Sequence, residues 1–340
     1  MNISPTKILN NLIYLLWLIV RRFVLRRYRK YIVNFPYSIH KTHIFFEGPL
    51  DDFKKDRGHF IRFYGEKLFN NYSKKNFTGI VNIGKVYYPK IESVVGKIVN
   101  KKTSLLAKKD CVIPISNLKN DNNFQITLNG KKNIITTPLR RFFYLRVNKK
   151  DSLKIINKDR FFFGEKIPLN DMSSKKNKLV LAIFVDGLAD LDVLIKKKCI
   201  QEYLPNTYNF FSKGTIFKNH YSNSGWSLPS FANIFTGKYT HHHGLFHPLS
   251  SKKINPTTNL ISEYFKKNGY LTSSIGGNWR ANPFYGYNRG FDRLIYNRGM
   301  NCNEVISNFF DHYRAFESRS HFSLLAFHDI HHFLDDIPEI

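Results

Sequence analysis

The sequence predicts an α/β fold, a mostly parallel sheet flanked by helices, preceded by a small β-rich domain. Three observations predict it. Residues 179–185 (LVLAIFV) form a continuous apolar run of strand length ending in Asp186-Gly187, the pattern of a strand buried on both faces of a parallel sheet. Downstream, helical and strand-like patterns alternate, as βαβ units require. Upstream, short runs rich in β-branched and aromatic residues are separated by turn signals, as in a small sandwich.

Taken in order, residues 1–35 read as a basic amphipathic segment. The run 8–20 is apolar apart from Asn10 and Asn11, then meets Arg21, Arg22, Arg26, Arg27, Arg29 and Lys30. It is too short to span a bilayer, which needs roughly 20 apolar residues. Its basic cluster follows the apolar run and no small-residue cleavage site appears, so no signal peptide is read and a retained segment is expected. Two roles fit it equally: an anchor on an anionic membrane surface, or a helix packed on the body of the protein. The chain is accordingly expected to be cytoplasmic or peripherally membrane-associated.

Residues 36–170 read as a β-rich accessory domain, with strand-like runs at 79–86, 124–128, 133–136 and 142–147. Asn129-Gly130 is a hairpin turn signature. No catalytic constellation is visible in this stretch. Residues 171–177 (DMSSKKN) are polar and read as a linker. From 178 to 340 the α/β pattern runs through helix-like 205–213, 258–267 and 303–317 and strand-like 270–275 and 321–327.

The chain of 340 residues carries 53 Lys plus Arg against 25 Asp plus Glu, a formal charge of +28. Residues 1–170 hold 34 basic and 11 acidic side chains, and the rest hold 19 and 14, so the excess lies in the first half. With 42% hydrophobic residues the chain can bury a core, which excludes wholesale disorder. The basic half raises nucleic acid as a partner, but its lysines are scattered with Asn through turns and no nucleic-acid motif is present. A solvated surface is the preferred reading. Cys111, Cys199 and Cys302 are odd in number and far apart, so neither a disulfide framework nor a zinc cluster is suggested.

The most informative segment is 223–244, NSGWSLPSFANIFTGKYTHHHG. Ser227, Pro229 and Gly237 mark a short helix with Ser227 at its amino-terminal cap. That end of a helix favours an anion, either a serine alkoxide or the oxygens of a bound phosphate or sulfate. Asp186, at the carboxyl end of a strand, sits where α/β sheets place ligands. Were it to deliver a divalent cation to Ser227, the hydroxyl would become a usable nucleophile. An ordinary capping serine explains the spacing as well. Of the run His241, His242 and His243, three consecutive loop side chains cannot all face one ion; His243 is read as structural and the other two as exposed.

The order of these pieces resembles the sulfatase family of the alkaline phosphatase superfamily over roughly residues 178–332. Asp186 follows its buried strand; Pro205, Asn206, Phe211, Gly214, Phe217, Asn219 and Tyr221 repeat the family's next motif. Ser227, Pro229, Ser230, Ala232, Thr236 and Gly237 resemble the signature around the nucleophile, and Tyr239, His243 and Gly244 the motif after it. Gly269, Tyr270, Thr272 and Trp279 are similar to a further motif; Asn288 to Asp292 (NRGFD) occurs intact, and Asp329 with His331 approximates the last.

The resemblance implies a hydrolase of sulfate esters with a divalent metal, usually calcium in sulfatases. It implies Asp186 and Ser227 as metal-binding residues and Ser227 as nucleophile or formylglycine precursor; His331, which follows a strand-like segment beside Asp329, is read as a substrate-binding residue or general acid. Asn278, Arg280 and Asp329 are implied around the anionic ester of a sulfated or phosphorylated glycan or small molecule. Phe231 stands where the family has arginine, Gly187 where it has a second aspartate, and Asn278 and Arg280 where it has Lys and His. Its remaining metal ligands lie in a downstream Asp/Asn-His-Gly element absent from the 340 residues. Residues 178–340 are therefore expected to be either the amino-terminal part of a longer enzyme domain or a shortened one with half a metal site. Two alternatives stay open: a phosphodiesterase or phosphotransferase of the superfamily using unmodified serine, and a non-catalytic protein binding an anionic glycan or membrane surface.

Overall fold

A computed structural model describes residues 44–45, 59–63, 91–118, 123–136, 142–170, 178–188, 199–217, 219–246, 254–281, 285–296 and 300–332 of the chain. The basic segment 1–35 and the linker 171–177 lie outside them.

The strands in chain order are β1 (Ile44–Phe45), β2 (His59–Phe63), β3 (Ile91–Val99), β4 (Lys102–Leu106), β5 (Cys111–Asn117), β6 (Asn123–Leu128), β7 (Lys131–Thr136) and β8 (Phe143–Val147). There follow β9 (Ser152–Ile156), β10 (Phe161–Gly164), β11 (Ile167–Pro168), β12 (Leu179–Val185), β13 (Leu271–Gly276), β14 (Arg293–Tyr296) and β15 (His321–Phe327). The helices are α1 (Cys199–Tyr203), α2 (Pro205–Phe211), α3 (Ser227–Thr236), α4 (Thr240–His243), α5 (Ile261–Lys267), α6 (Cys302–Ala315) and α7 (Asp329–His332). Two compact units result, one built on Ile98–Leu169 and the other on His40–Lys97 with Asn170–Ile340.

The first unit is antiparallel. β5 pairs with β8, β10 and β11, and a second sheet runs β4-β9-β6-β7. Alternation drives the packing: in β9, Leu153 and Ile155 are buried while Ser152 and Lys154 face water. These residues meet Phe124, Ile126, Ile113, Ile115, Leu145 and Phe161 in one core, where Phe124 and Phe161 pack edge to face at 5.2 Å. Asn129 (φ 50°) and Gly130 (φ 80°) close the β6–β7 hairpin, the two left-handed residues that a two-residue turn demands.

In the second unit β14, β13, β15 and β12 are mutually parallel in that order, and β3 and β2 extend the sheet antiparallel beyond β14. Helices cover both faces, as the parallel arrangement requires. On one side Leu228, Phe231, Ala232 and Phe235 of α3 and Phe265 beside them pack on Phe184, Phe322 and Leu324. On the other, Val305 and Phe309 of α6 pack on Ile275, Ile295 and Leu325. The expectation for β12 needs correction. Val180, Ala182 and Phe184 pack on the core, but Leu179, Leu181 and Ile183 on the opposite face are 45%, 37% and 47% exposed, so the apolar run is covered on one face only among the described residues.

The NRGFD segment is a clasp rather than a ligand site. Arg289 pairs with Glu263 at 2.8 Å and donates to the carbonyls of Thr258 and Asn255. Asp292 accepts from the N–H and hydroxyl of Thr272 and pairs with Lys266. Gly290 (φ 77°) lies so close to α5 that a Cβ there would collide with the backbone of Ser262 and Glu263.

Candidate active site

Four chain segments converge at the carboxyl ends of β12, β13 and β15, the edge at which open α/β sheets present ligands. Asp186 follows β12 and is 5% exposed. Ser227 opens α3, and its Oγ donates to Asp186 Oδ1 at 2.7 Å. Asn278 follows β13; its Nδ2 donates to Asp186 Oδ2 at 2.7 Å, while its Oδ1 accepts from Arg280 N at 3.0 Å. That second bond fixes both the amide and the 3-10 turn Trp279–Ala281, which aims Arg280 at Asp186, Nη1 to Oδ2 3.4 Å. His328, directly after β15, brings Nδ1 within 3.2 Å of the same oxygen.

The structure thus gathers Asp186, Ser227, Asn278 and Arg280. His331 reaches the site's margin, its ring stacked on His328 with centroids 4.8 Å apart. Its backbone lies against Gly187 (φ 82°), where a Cβ would come within 3.1 Å of His331 N and Cα, so the place of a second carboxylate is filled by α7. Asp329, expected on the substrate side, is turned away: its Oδ1 accepts from Cys302 N at 2.8 Å, at the amino terminus of α6. Ser227 is also not the capping residue. Trp226 is the N-cap, with no side-chain cap bond, and Ser227 is the first helical residue, its hydroxyl free to serve Asp186. Gly237 (φ 64°) ends the helix as read, its N–H bonding Asn233 O at 2.8 Å.

Two residues at the site went unread in the sequence. His328 could have been found as the residue ending a buried strand beside the strand of Asp186. Tyr285 carries a buried hydroxyl that makes no hydrogen bond among the described residues; burial pushes its phenol up to about 12 against the pull of Arg280. His243 is buried, its Nδ1 accepting from Leu245 N at 3.0 Å and its Nε2 lying 2.6 Å from the Asn233 amide, whereas His241 and His242 are exposed. Phe231 sits in the core, 4.3 Å from the Phe184 ring.

Burial raises the Asp186 carboxyl, but the His328 ring, the Ser227 hydroxyl and Arg280 outweigh it and hold the group down to about 2. The folded carboxyl thus lies below its ordinary 3.8, so the unfolded chain binds the extra proton. Asp186 therefore contributes stability above pH 3.8 that is lost as pH falls toward 2. The amount is about 2 kcal/mol by linkage. Chemical denaturation at stepped pH checks this: Asp186→Asn should flatten the acid limb between those values, and an unchanged limb would remove the assignment.

Residues 178–338, a little under half the chain, match the family model Sulfatase, so this stretch is a sulfatase-family segment. Among solved structures, BT4656 in complex with its substrate D-glucosamine-2-N,6-O-disulfate is 16% identical with a TM-score of 0.34, over 45% of this chain and 34% of that one. The match therefore spans about a third of that protein's length. A family two carbohydrate esterase from Clostridium thermocellum in complex with cellohexaose is 10% identical with a TM-score of 0.15, over 72% of this chain and 75% of that one. No curated protein matches the chain.

The sulfatase family generally uses a divalent metal. The described residues do not fit one: they contain no group of three or more His, Cys, Asp or Glu able to hold an ion. Both oxygens of Asp186 are already engaged, one of them by the cationic Arg280, and the neighbouring position is a glycine packed on α7. Calcium takes 6–8 oxygen ligands, and one carboxylate with one serine falls far short of that.

Proposed function

We propose that the sulfatase-like domain hydrolyses sulfate esters, with the oxygen of residue 227 as nucleophile. The observation that carries this reading is the 2.7 Å hydrogen bond from Ser227 Oγ to Asp186 Oδ1 at the first turn of a ten-residue helix. Asp186 orients the hydroxyl and leaves an oxygen lone pair directed outward. Arg280 and Asn278 hold the non-bridging oxygens of the ester, aided by the positive end of α3. As the bond from Ser227 to sulfur forms, the bond to the ester oxygen breaks. The serine proton passes through Asp186 to solvent, since a carboxyl near 2 keeps no proton at neutral pH, and His331 protonates the leaving oxygen. Water then releases sulfate and restores the serine.

A second reading, phosphoester cleavage or phosphoryl transfer by unmodified Ser227, is favoured by Phe231. That position, arginine in the resembling family, here fills the core and offers the nucleophile no charge. Peptide mass and paired assays separate the two. Formylglycine made from serine is about 2 Da lighter, by loss of two hydrogens. An unmodified Ser227 peptide together with turnover of an aryl sulfate is the expected result, and a lighter peptide would overturn the serine mechanism. An unmodified peptide with turnover of aryl phosphate alone selects the second reading, and no turnover of either ester overturns both.

A further inference from the structure

At one end of the unit built on Ile98–Leu169, three loops leave the sheets together. Leu106 lies opposite Ser152, Leu128 opposite Leu153 and also Lys131, so loops 107–110, 129–130 and 148–151 emerge at the same edge. They are tied to one another: Ala107 N donates to Asp151 O at 2.9 Å, Lys150 N to Ala107 O at 2.8 Å, and Asn129 N to Ser152 O at 2.9 Å. This rim carries Lys108, Lys109, Lys131, Lys149 and Lys150, all exposed. None of the five makes an ion pair among the described residues.

The two carboxylates of the rim are turned into the loops that bear them. Asp110 Oδ1 accepts from Lys149 N at 2.7 Å; Asp151 accepts from Asn129 Nδ2 at 2.6 Å and from Asn148 N at 2.8 Å. The acids therefore hold the loops in place while the ammonium groups point to solvent, five cations against two anions. Residues 98–169 as a whole carry 16 Lys plus Arg and 5 Asp plus Glu, a net +11.

We infer that this lysine rim is a binding site for a sulfated polysaccharide, which it holds through ammonium–sulfate contacts. The choice of a sulfated glycan rests on the sulfate-ester reading above. The rim's own chemistry narrows the field further. Single-stranded nucleic acid is held by cations interleaved with exposed aromatic rings, and loops 107–110, 129–130 and 148–151 contain no aromatic residue. A membrane surface binds more firmly where apolar side chains insert beside the cations, and next to these loops Leu106 alone is an exposed large aliphatic of β4. The backbones of the tied loops need little ordering on binding, so the five lysines are presented together to a repeating anionic chain.

The test compares the full chain with a variant carrying Lys108→Gln, Lys109→Gln, Lys131→Gln, Lys149→Gln and Lys150→Gln. A control carries Lys101→Gln, Lys102→Gln and Lys158→Gln at the opposite end of the same sheet. Affinity for a heparin oligosaccharide is measured by titration at two salt concentrations, with turnover of a small aryl sulfate in parallel. The rim variant should bind about tenfold more weakly or worse and lose most of its salt dependence, while the control binds as the parent does. Turnover of the small ester should be the same in all three, because the rim touches only the polymer. Equal heparin affinity in parent and rim variant overturns the inference, as does lysine-dependent binding of single-stranded DNA or phosphatidylserine vesicles that exceeds that of heparin. If rim-dependent heparin binding persists in a chain with no esterase activity, the rim stands and the catalytic reading alone falls.

Discussion

Ser227→Ala is expected to lower turnover of the responsive ester by on the order of 10⁴ or more, the scale seen when a nucleophile is removed. The fold should survive. Ser227 is the first residue of α3, its hydroxyl bonds only Asp186 Oδ1, and the N-cap is Trp226, so no capping bond is lost. Loss of the hydrogen bond to the buried carboxylate should cost about 1–3 kcal/mol, well short of unfolding the domain. The effect should fall on kcat rather than KM, since Arg280 and Asn278 still hold the anion. Loss of turnover with a cooperative unfolding transition only a few degrees lower distinguishes a catalytic oxygen from a structural one. A variant retaining a tenth of parental kcat would sink the assignment.

Arg293→Ala carries the largest expected loss of stability. Arg293 Nε pairs with Glu92 Oε1 at 2.9 Å, their side chains 5% and 4% exposed, and the contact joins β14 to the antiparallel strand β3. Removing one partner of a buried ion pair costs about 3–5 kcal/mol. Urea denaturation reads the loss directly. The double variant Glu92→Met, Arg293→Met should recover much of it, because no lone charge is then buried; equal loss in the single and double variants would locate the stabilisation elsewhere.

Local signals made much of this fold legible. The apolar run 179–185 and the stretch 321–327 both form strands, because continuous hydrophobic stretches have few other stable uses, although the former is covered on one face only among the described residues. Gly237 stopped α3 where its left-handed φ is needed, and Asn129-Gly130 turned the hairpin for the same reason. Partners in space were not legible. Nothing local says that β3 pairs with β14, 201 residues away at the Glu92–Arg293 contact, since strand pairing is chosen by the whole sheet. Asp329 with His331 resembles the family's last motif, which implies a place beside the substrate; that it instead bonds Cys302 N depends on where α6 begins. His328 was overlooked for the converse reason: a lone histidine after a strand signals nothing until the adjacent strand is known to end in Asp186. Ser227 was placed one position too early in its helix, and the single-residue shift decides whether its hydroxyl serves the backbone or the aspartate.

The position of β15 bears on how the protein is made. It comes after β12, β13 and β14 in the chain, yet in the sheet it lies between β12 and β13 and pairs with both. During synthesis the strand carrying Asp186 therefore has no direct pairing with the strand that precedes Asn278 until residues 321–327 have emerged. Insertion of one late strand closes the sheet and brings Asp186, Asn278 and His328 to one edge in the same event.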